Sequence, residues 1–284
     1  MILVTGATGT IGRPLLDLLI SEGIKVRATT RSPETAGLPG EVAVVEGDPA
    51  RPSTLTSSLE GVTSLFLHPR AVGLAAPDLL ALAKKSGVRR VVVLSAVNVD
   101  DPLEEQPSRL NGDRNKEVEA AAVASGLEWV SLRASAFAIN TLTAWGGQIR
   151  AGDIVRGPYA NFSEAPIHER DLAAVAVRAL LSDDLVGQKP ALTGPRSLTH
   201  AELITTIGQV LGRPLRFQEI PPEAVRQAMI GQGLAESFVE ALLNRYARGA
   251  GKPAPVTDEV EKILGRPARG WAEWVADHAD AFRG

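Results

Sequence analysis

Thr5-Gly6-Ala7-Thr8-Gly9-Thr10-Ile11-Gly12 decides the fold. It follows the aliphatic run Ile2–Thr5 and opens the amphipathic segment Gly12–Glu22, so three glycines spaced by three sit at a strand-to-helix turn. Glycine there lets the backbone turn tightly, approach a pyrophosphate and pack the helix close to the sheet; the helix N-terminus adds amide N–H groups and partial positive charge. With 27 glycines in the chain the spacing alone would be a weak signal. The strand before it and the helix after it give it force. The reading is a dinucleotide-binding turn with Gly6, Thr8, Gly9, Thr10, Ile11 and Gly12 as candidate contacts; a merely tight turn is the bland alternative.

Outward from this turn, short aliphatic runs alternate with helix-like segments. Strands are expected at Ile2–Thr5, Lys25–Thr30, Val42–Glu46, Ser64–Leu67, Arg90–Leu94 and Glu128–Leu132. Helices are expected at Gly12–Glu22, Ser53–Leu59, Ala76–Ser86 and Asp113–Ser125, three of them closed by Gly23, Gly87 and Gly126 as left-handed caps. Continuous rather than alternating apolar strands imply burial on both faces. The fold class is therefore α/β, a doubly wound parallel Rossmann sheet with right-handed crossovers. After Leu132 the alternation stops. Ala134–Gly152 reads as a helix or two, Asp171–Leu181 as another helix, and Ala191–Gly194 as one more strand. From Thr199 onward the chain reads as mostly helical, opened by the capping box Thr199-His200-Ala201-Glu202. Residues 1–133, with 166–193 returning to them, are expected to form the dinucleotide-binding domain; 134–165 and 194–284 are expected to form a smaller, mostly helical C-terminal substrate lobe.

An acid at the end of the second strand would hold a ribose 2′-hydroxyl and favour NAD, whereas an Arg suits a 2′-phosphate. The position reads Thr29-Thr30-Arg31-Ser32, with no acid until Glu34. A guanidinium matches a phosphate dianion, with Ser32 and Arg13 as helpers, so NADPH is the expected cofactor; a solvated surface Arg31 is the alternative. Asp48, in Gly47-Asp48-Pro49 after the third strand, is either an acceptor for the adenine amino group or an ordinary turn residue. His68, in Leu67-His68-Pro69-Arg70, ends the fourth strand on the side where such sheets bind ligands, and a cofactor contact is expected from its loop.

Composition closes off other classes. The 284 residues are 44% hydrophobic and 22% charged with a net charge of -3, an ordinary globular mix without the basic field that nucleic acid or an anionic membrane requires. No stretch reaches about 18 apolar residues, and no basic, apolar leader opens the chain, which reads as cytoplasmic. Cysteine is absent, and the four histidines have no metal-ligand spacing, so no metal is expected. Of the twelve aromatic residues only Phe66 precedes Trp129. Phe137, Trp145, Tyr159 and Phe162 fall where a substrate lid should be; lining a flat aromatic pocket and filling a small lobe's core are the two readings, and a mixture is expected.

At these residues the chain resembles the short-chain dehydrogenase/reductase superfamily, specifically its atypical NmrA-like branch of NAD(P)-binding proteins. Further matches are Val92-Val93-Leu94-Ser95, Lys116-Glu117-Val118-Glu119, Ser125–Arg133, Asn140, Ile167–Ala173, Leu192–Pro195, Leu211–Pro214 and the tail Thr257–Phe282. The resemblance spans nearly the whole chain. Typical members of the superfamily carry Tyr-x-x-x-Lys on the helix after the fifth strand, where Lys lowers the Tyr pKa and Tyr delivers a proton. No such pair exists here: counting back from Glu119, its places hold Asn111 and Asn115, with Lys116 one residue out of register. The resemblance implies a reductase of quinones, dyes or phenylpropanoid-like substrates, since quinones, enones and other conjugated acceptors delocalise charge and tolerate a weak proton donor. A non-catalytic NADP(H) sensor that binds a protein partner, and an isomerase or dehydratase, are the alternatives. Candidate catalytic residues are Ser95, Asn115, Lys116 and Tyr159, with Ser95 also a cofactor contact; substrate-side candidates are Phe137, Asn140, Trp145 and Tyr159. The partner is then a small, aromatic or quinone-like molecule, and a homodimer is the assembly such a protein would allow.

Overall fold

A computed structural model describes residues 1–283. In chain order the first half comprises β1 (Ile2–Val4), α1 (Gly12–Ser21), β2 (Val26–Thr30), β3 (Ala43–Glu46), β4 (Ser64–Leu67), α2 (Pro69–Val72), α3 (Ala76–Lys85), β5 (Arg90–Ala96), α4 (Pro107–Leu110), α5 (Asn115–Ala124) and β6 (Glu128–Ala134). The second half continues with α6 (Gly147–Ala151), β7 (Ile154–Gly157), β8 (Ser163–Glu164), α7 (Glu169–Leu181), β9 (Ala191–Leu192), β10 (Leu198–Thr199) and α8 (His200–Leu211). It ends with β11 (Arg216–Glu219), α9 (Pro222–Gly231), α10 (Glu236–Gly249), α11 (Glu259–Leu264) and α12 (Trp271–Asp277).

Every residue of β1 and β4 is buried, which is why Ile2–Val4 and Leu65–Leu67 are apolar without alternation. Seven strands pair in parallel in the order β3-β2-β1-β4-β5-β6-β9. Side-chain alternation feeds two cores. Val4, Phe66, Val92 and Leu132 pack with Leu15, Leu16 and Leu19 of α1 and with Leu172, Val175 and Ala176 of α7. Leu3, Leu65, Leu67, Val91 and Val93 pack with Leu79, Leu80 and Ala83 of α3 and with Val118 and Ala122 of α5. The α/β doubly wound expectation holds, and no described helix is long and apolar enough to cross a membrane.

Three expectations need correction. The stretch 53–59 forms two 3-10 turns, Pro52–Leu55 and Ser57–Leu59, in place of an α-helix, with Leu55 and Leu59 buried at the tighter spacing. Ala134–Gly152 is not helical from its start, because its backbone is committed elsewhere. Ser135 N–H donates to Leu192 O, Ala138 N–H to Ile167 O, and Ile167 N–H to Ala136 O, so a π turn begins only at Leu142. The lobe does not take all of 194–284: Val260, Ile263, Leu264 and Ala268 pack into the core of α1 and α7.

The remaining lobe has its own core of Ile149, Val155, Leu203, Ile204, Ile207, Trp271, Trp274 and Phe282. The capping box forms as read: Thr199 Oγ1 accepts from Glu202 N–H at 3.1 Å while Thr199 N–H donates to Glu202 Oε2 at 2.8 Å. β11 is a short strand inside the stretch expected to be mostly helical, paired in parallel with β7.

Candidate site at the C-terminal edge of the sheet

Gly6 and Gly12 shape the turn after β1. A Cβ on Gly12 would lie 2.3 Å from Gly6 O and 2.6 Å from Ala7 Cα, so only glycine lets α1 begin this close to the strand end. Gly6 has φ +65, and its missing Cβ leaves room for His68, whose own Cβ would be 2.9 Å away. Thr8, Gly9 and Thr10 form the exposed rim. Gly9 N–H is spent on Gly6 O, whereas the N–H groups of Thr8, Thr10 and Ile11 have no backbone partner among the described residues. Orphan amides just before the start of α1, over a cradle that a side chain would fill, fit the pyrophosphate of a dinucleotide.

Thr5 joins this turn to the next strand. Its buried hydroxyl donates to Phe66 O at 3.1 Å and accepts from His68 N–H at 2.8 Å, fixing His68 beside Gly6. Burial lowers the His68 pKa; Asp113 pulls it up and Arg70 adds to the fall. The imidazole is therefore neutral at pH 7. Its Nδ1 accepts from Arg70 N–H at 3.3 Å, which leaves the proton on Nε2 as a donor.

At the end of β2, Arg31 and Ser32 are exposed, and the Arg31 guanidinium has no hydrogen bond or ion pair among the described residues. Arg13 is used differently from the expectation. Its Nε donates to Thr8 O at 3.2 Å and its terminal nitrogens to Gly37 O at 2.8 Å and Ala36 O at 2.9 Å. Asp48 does serve its turn: Oδ1 accepts from Ala50 N–H at 3.1 Å and Oδ2 from Arg51 Nε at 3.0 Å. Only a second lone pair on each oxygen remains for an adenine amino group.

Ser95 is buried at the end of β5 and belongs to a network that the sequence reading missed. Its hydroxyl lies 2.9 Å from Glu119 Oε2, which also receives Ser131 Oγ at 2.6 Å and Arg133 Nε at 3.1 Å. Arg133 Nη2 at 2.6 Å and Lys189 Nζ at 2.8 Å reach Oε1. Burial alone would raise the Glu119 pKa; the bonds from Arg133, Lys189, Ser131 and Ser95 outweigh it and hold the carboxyl at about 2. Glu119 is thus a carboxylate with no proton to give, and Ser95 must donate to it. With its one hydrogen engaged by Glu119, Ser95 has only lone pairs left for a ligand.

Asn111 caps the end of α4 and is exposed, while Asn115 is the first residue of α5 and is buried, with Nδ2 3.5 Å from Ser108 Oγ. The two places of the absent Tyr-Lys pair therefore do not share a helix. Lys116 is exposed on α5, off the buried face that carries Asn115, Val118 and Glu119. One residue of register, about 100° around the helix, aims it away from the face that carries Ser95.

From the lobe, Phe137 is bridged to Ile167, Asn140 is exposed, and Tyr159 is half-buried with φ +50, the one non-glycine residue with positive φ among the described residues. Trp145 belongs to the lobe's interior more than to a lid. Its ring meets His200 edge-on at 5.1 Å and Phe217 at 6.1 Å. Phe162 and Tyr246 close the same shell at 5.2 and 4.9 Å from His200. His200 is buried, its Nδ1 3.3 Å from Pro158 O and its Nε2 without a partner. His168 caps α7, accepting from Arg170 N–H at 3.2 Å. No group of three or more metal-ligating side chains occurs among the described residues. A surface cavity of about 570 Å³, lined by Pro195, Thr257, Glu259 and Pro267 among others, shares no residue with this edge.

Residues 6–183, which contain the whole glycine turn, match a family described as NAD(P)H-binding. The chain belongs to that family. Members of whole length are similar to it. It is 38% identical to the (4-alkanoyl-5-oxo-2,5-dihydrofuran-3-yl)methyl phosphate reductase of Streptomyces griseus, covering 99% of both chains. It is 34% identical to the NAD(P)H azoreductase of Xenophilus azovorans, again over 99% of each. Its fold matches that of an NADPH-dependent quinone oxidoreductase from Escherichia coli solved with NADPH, at TM-score 0.81 and 23% identity over 98% of this chain and 99% of that one. The expected kinship with NAD(P)-binding reductases therefore holds, and the cofactor of this NAD(P)H-binding protein is a nicotinamide dinucleotide.

Within this family member, Thr5, Glu119 and His200 were legible only as ordinary polar residues. Nothing in their neighbours along the chain marks them, since their partners lie far away in sequence.

Proposed function

We propose that this chain is an NADPH-dependent reductase that passes hydride to a small quinone, enone or carbonyl acceptor. The observation that carries the reading is the glycine cradle with its orphan amides beside an Arg31 guanidinium that no carboxylate neutralises. The turn amides and the N-terminus of α1 hold the pyrophosphate, and Arg31 with Ser32 holds the 2′-phosphate. NADPH, when bound, supplies the hydride. Ser95, with its hydroxyl hydrogen donated in a hydrogen bond to Glu119, accepts an N–H from the ligand side, and Asn115, Tyr159 and the Nε2–H of His68 are the donors left for developing negative charge. None is a Tyr-Lys pair, so the fitting acceptors spread their charge by conjugation. The two relatives point the same way: one is named for an unsaturated oxo-dihydrofuran, the other for azo reduction. Their being reductases sets the sensor and isomerase readings aside.

The test is pure protein with NADPH and a panel of quinones, enones and azo compounds, followed by loss of reduced-nicotinamide absorbance. Turnover with at least one acceptor is expected. No consumption with any of them, despite measurable NADPH binding, refutes the proposal.

A further inference from the structure

The turn after β2 is seated by the buried Ala36 and by Leu38 packing against the core, but it hydrogen-bonds to the rest of the fold at one point. It closes on itself through Thr35 N–H and Thr35 Oγ1–H to Ser32 O at 3.3 and 3.4 Å and Ala36 N–H to Pro33 O at 3.2 Å. Beyond those bonds, residues 33–37 hydrogen-bond to the rest of the described chain only through Arg13, which reaches Ala36 O and Gly37 O from the first turn of α1. The same guanidinium holds Thr8 O on the phosphate turn. Arg13 thus spans the two loops that together would face a phosphorylated ribose, and it does so with three of its five N–H groups, all on carbonyls. No carboxylate lies within ion-pair distance, so its charge is not cancelled.

We propose that Arg13 is a positioning residue for cofactor selectivity: by tying the Ser32–Gly37 turn to the phosphate turn, it holds Arg31 where a 2′-phosphate is recognised. The inference rests on the Arg31 reading above. The planar fork matters, because a lysine ammonium is a point charge that cannot span three carbonyls in fixed directions. The effect falls on NADPH, since NADH shares the pyrophosphate but has no 2′-phosphate for Arg31 to find.

Calorimetric titration of NADPH and of NADH into wild type, Arg13→Lys, Arg13→Gln, Arg31→Ala and the Arg13→Gln/Arg31→Ala double variant tests this. Both Arg13 variants should weaken NADPH binding about tenfold, as expected when a charge-assisted hydrogen bond loses its alignment, with NADH affinity nearly unchanged as the control for folding. The double variant should bind NADPH no worse than Arg31→Ala alone, because the clamp acts through Arg31. Full NADPH affinity in Arg13→Lys would show that charge and not the fork matters and would overturn the proposal. So would equal losses for both cofactors, or additive losses in the double variant. If Arg31→Ala lowers NADPH affinity while the Arg13 variants do not, only this inference fails. If Arg31→Ala leaves NADPH binding intact, the Arg31 reading fails with it.

Discussion

Replacing Glu119 by Gln keeps the volume of the side chain and removes its charge, and the outcome can be worked from the network. A carboxyl held at about 2 in the folded chain against an ordinary 4.5 stabilises the fold by about 3 kcal/mol at neutral pH. Arg133 would keep Asp100 at 2.7 Å, but Lys189 has no other carboxylate within ion-pair distance. A glutamine NH2 would also face donors in at least one orientation. Breaking one side of a buried pair costs about 3–5 kcal/mol, so Glu119→Gln should lose about 3 kcal/mol or slightly more at pH 7. The sign with pH follows from the lowered pKa. The contribution is fully present above the unfolded value of 4.5 and is lost as pH falls towards about 2. Urea unfolding followed by tryptophan fluorescence should therefore show a gap between wild type and variant that is widest at neutral pH and narrows by about pH 3.5. A gap below about 1 kcal/mol at pH 7, or one that does not narrow in acid, would refute the claim that Glu119 is an ionised hub.

Other perturbations read other parts of the molecule. Gly12→Ala would place Cβ 2.3 Å from Gly6 O, and both close neighbours are backbone, so the turn must open. Calorimetry should show NADPH and NADH weakened alike, with stability down by about 1–3 kcal/mol; unchanged binding would contradict the cradle. Burial lowers the His200 pKa from 6.5, against Glu164 and the Pro158 carbonyl, so the folded chain stays neutral where the unfolded chain gains a proton. Stability from this residue is lost as pH falls through 6.5, and His200→Phe should flatten the unfolding profile between about pH 7 and 5 relative to wild type. Tyr159→Gly should relieve a positive φ worth about 1 kcal/mol and lower turnover with the reductase panel; full turnover would remove the Tyr159 ring from the substrate side.

Much of the scaffold was legible because its signals are local. The runs at Ile2–Val4 and Leu65–Leu67 are apolar at consecutive positions, and only burial on both faces explains that. The glycine turn, the glycine caps after α1, α3 and α5, and the Thr199 capping box are likewise written within a few residues of where they act. The lobe resisted because its strands are short and its backbone bonds are distant. Ser135 and Ala138 look helical in sequence until Leu192 and Ile167 are brought beside them. The site was legible where backbone geometry makes it and illegible where side chains do. Arg13 reads as a spare phosphate ligand until Ala36 and Gly37 occupy its guanidinium, and Ser95 reads as a free donor until its hydroxyl hydrogen-bonds to the Glu119 carboxylate.

That last exchange bears on how reduction could proceed without the Tyr-Lys pair. With Asn111 on the cap of α4 and Asn115 at the head of α5, no basic side chain stands beside Ser95 on the inner face of α5; the carboxylate of Glu119 does. A lysine at the place of Asn115 would favour a tyrosinate and a proton-delivery chain, whereas an anion at Glu119, neutralised by Arg133 and Lys189, fixes hydroxyl orientation and delivers nothing. The protein's contribution on this side is orientation of the ligand. Acceptors whose product anion is stabilised by their own conjugation, and then protonated by water, need no more than that. Carbonyls that form a localised alkoxide do need it, so within the reductase panel quinones and enones should turn over faster than simple ketones, and the reverse order would place the missing proton donor elsewhere in the lobe.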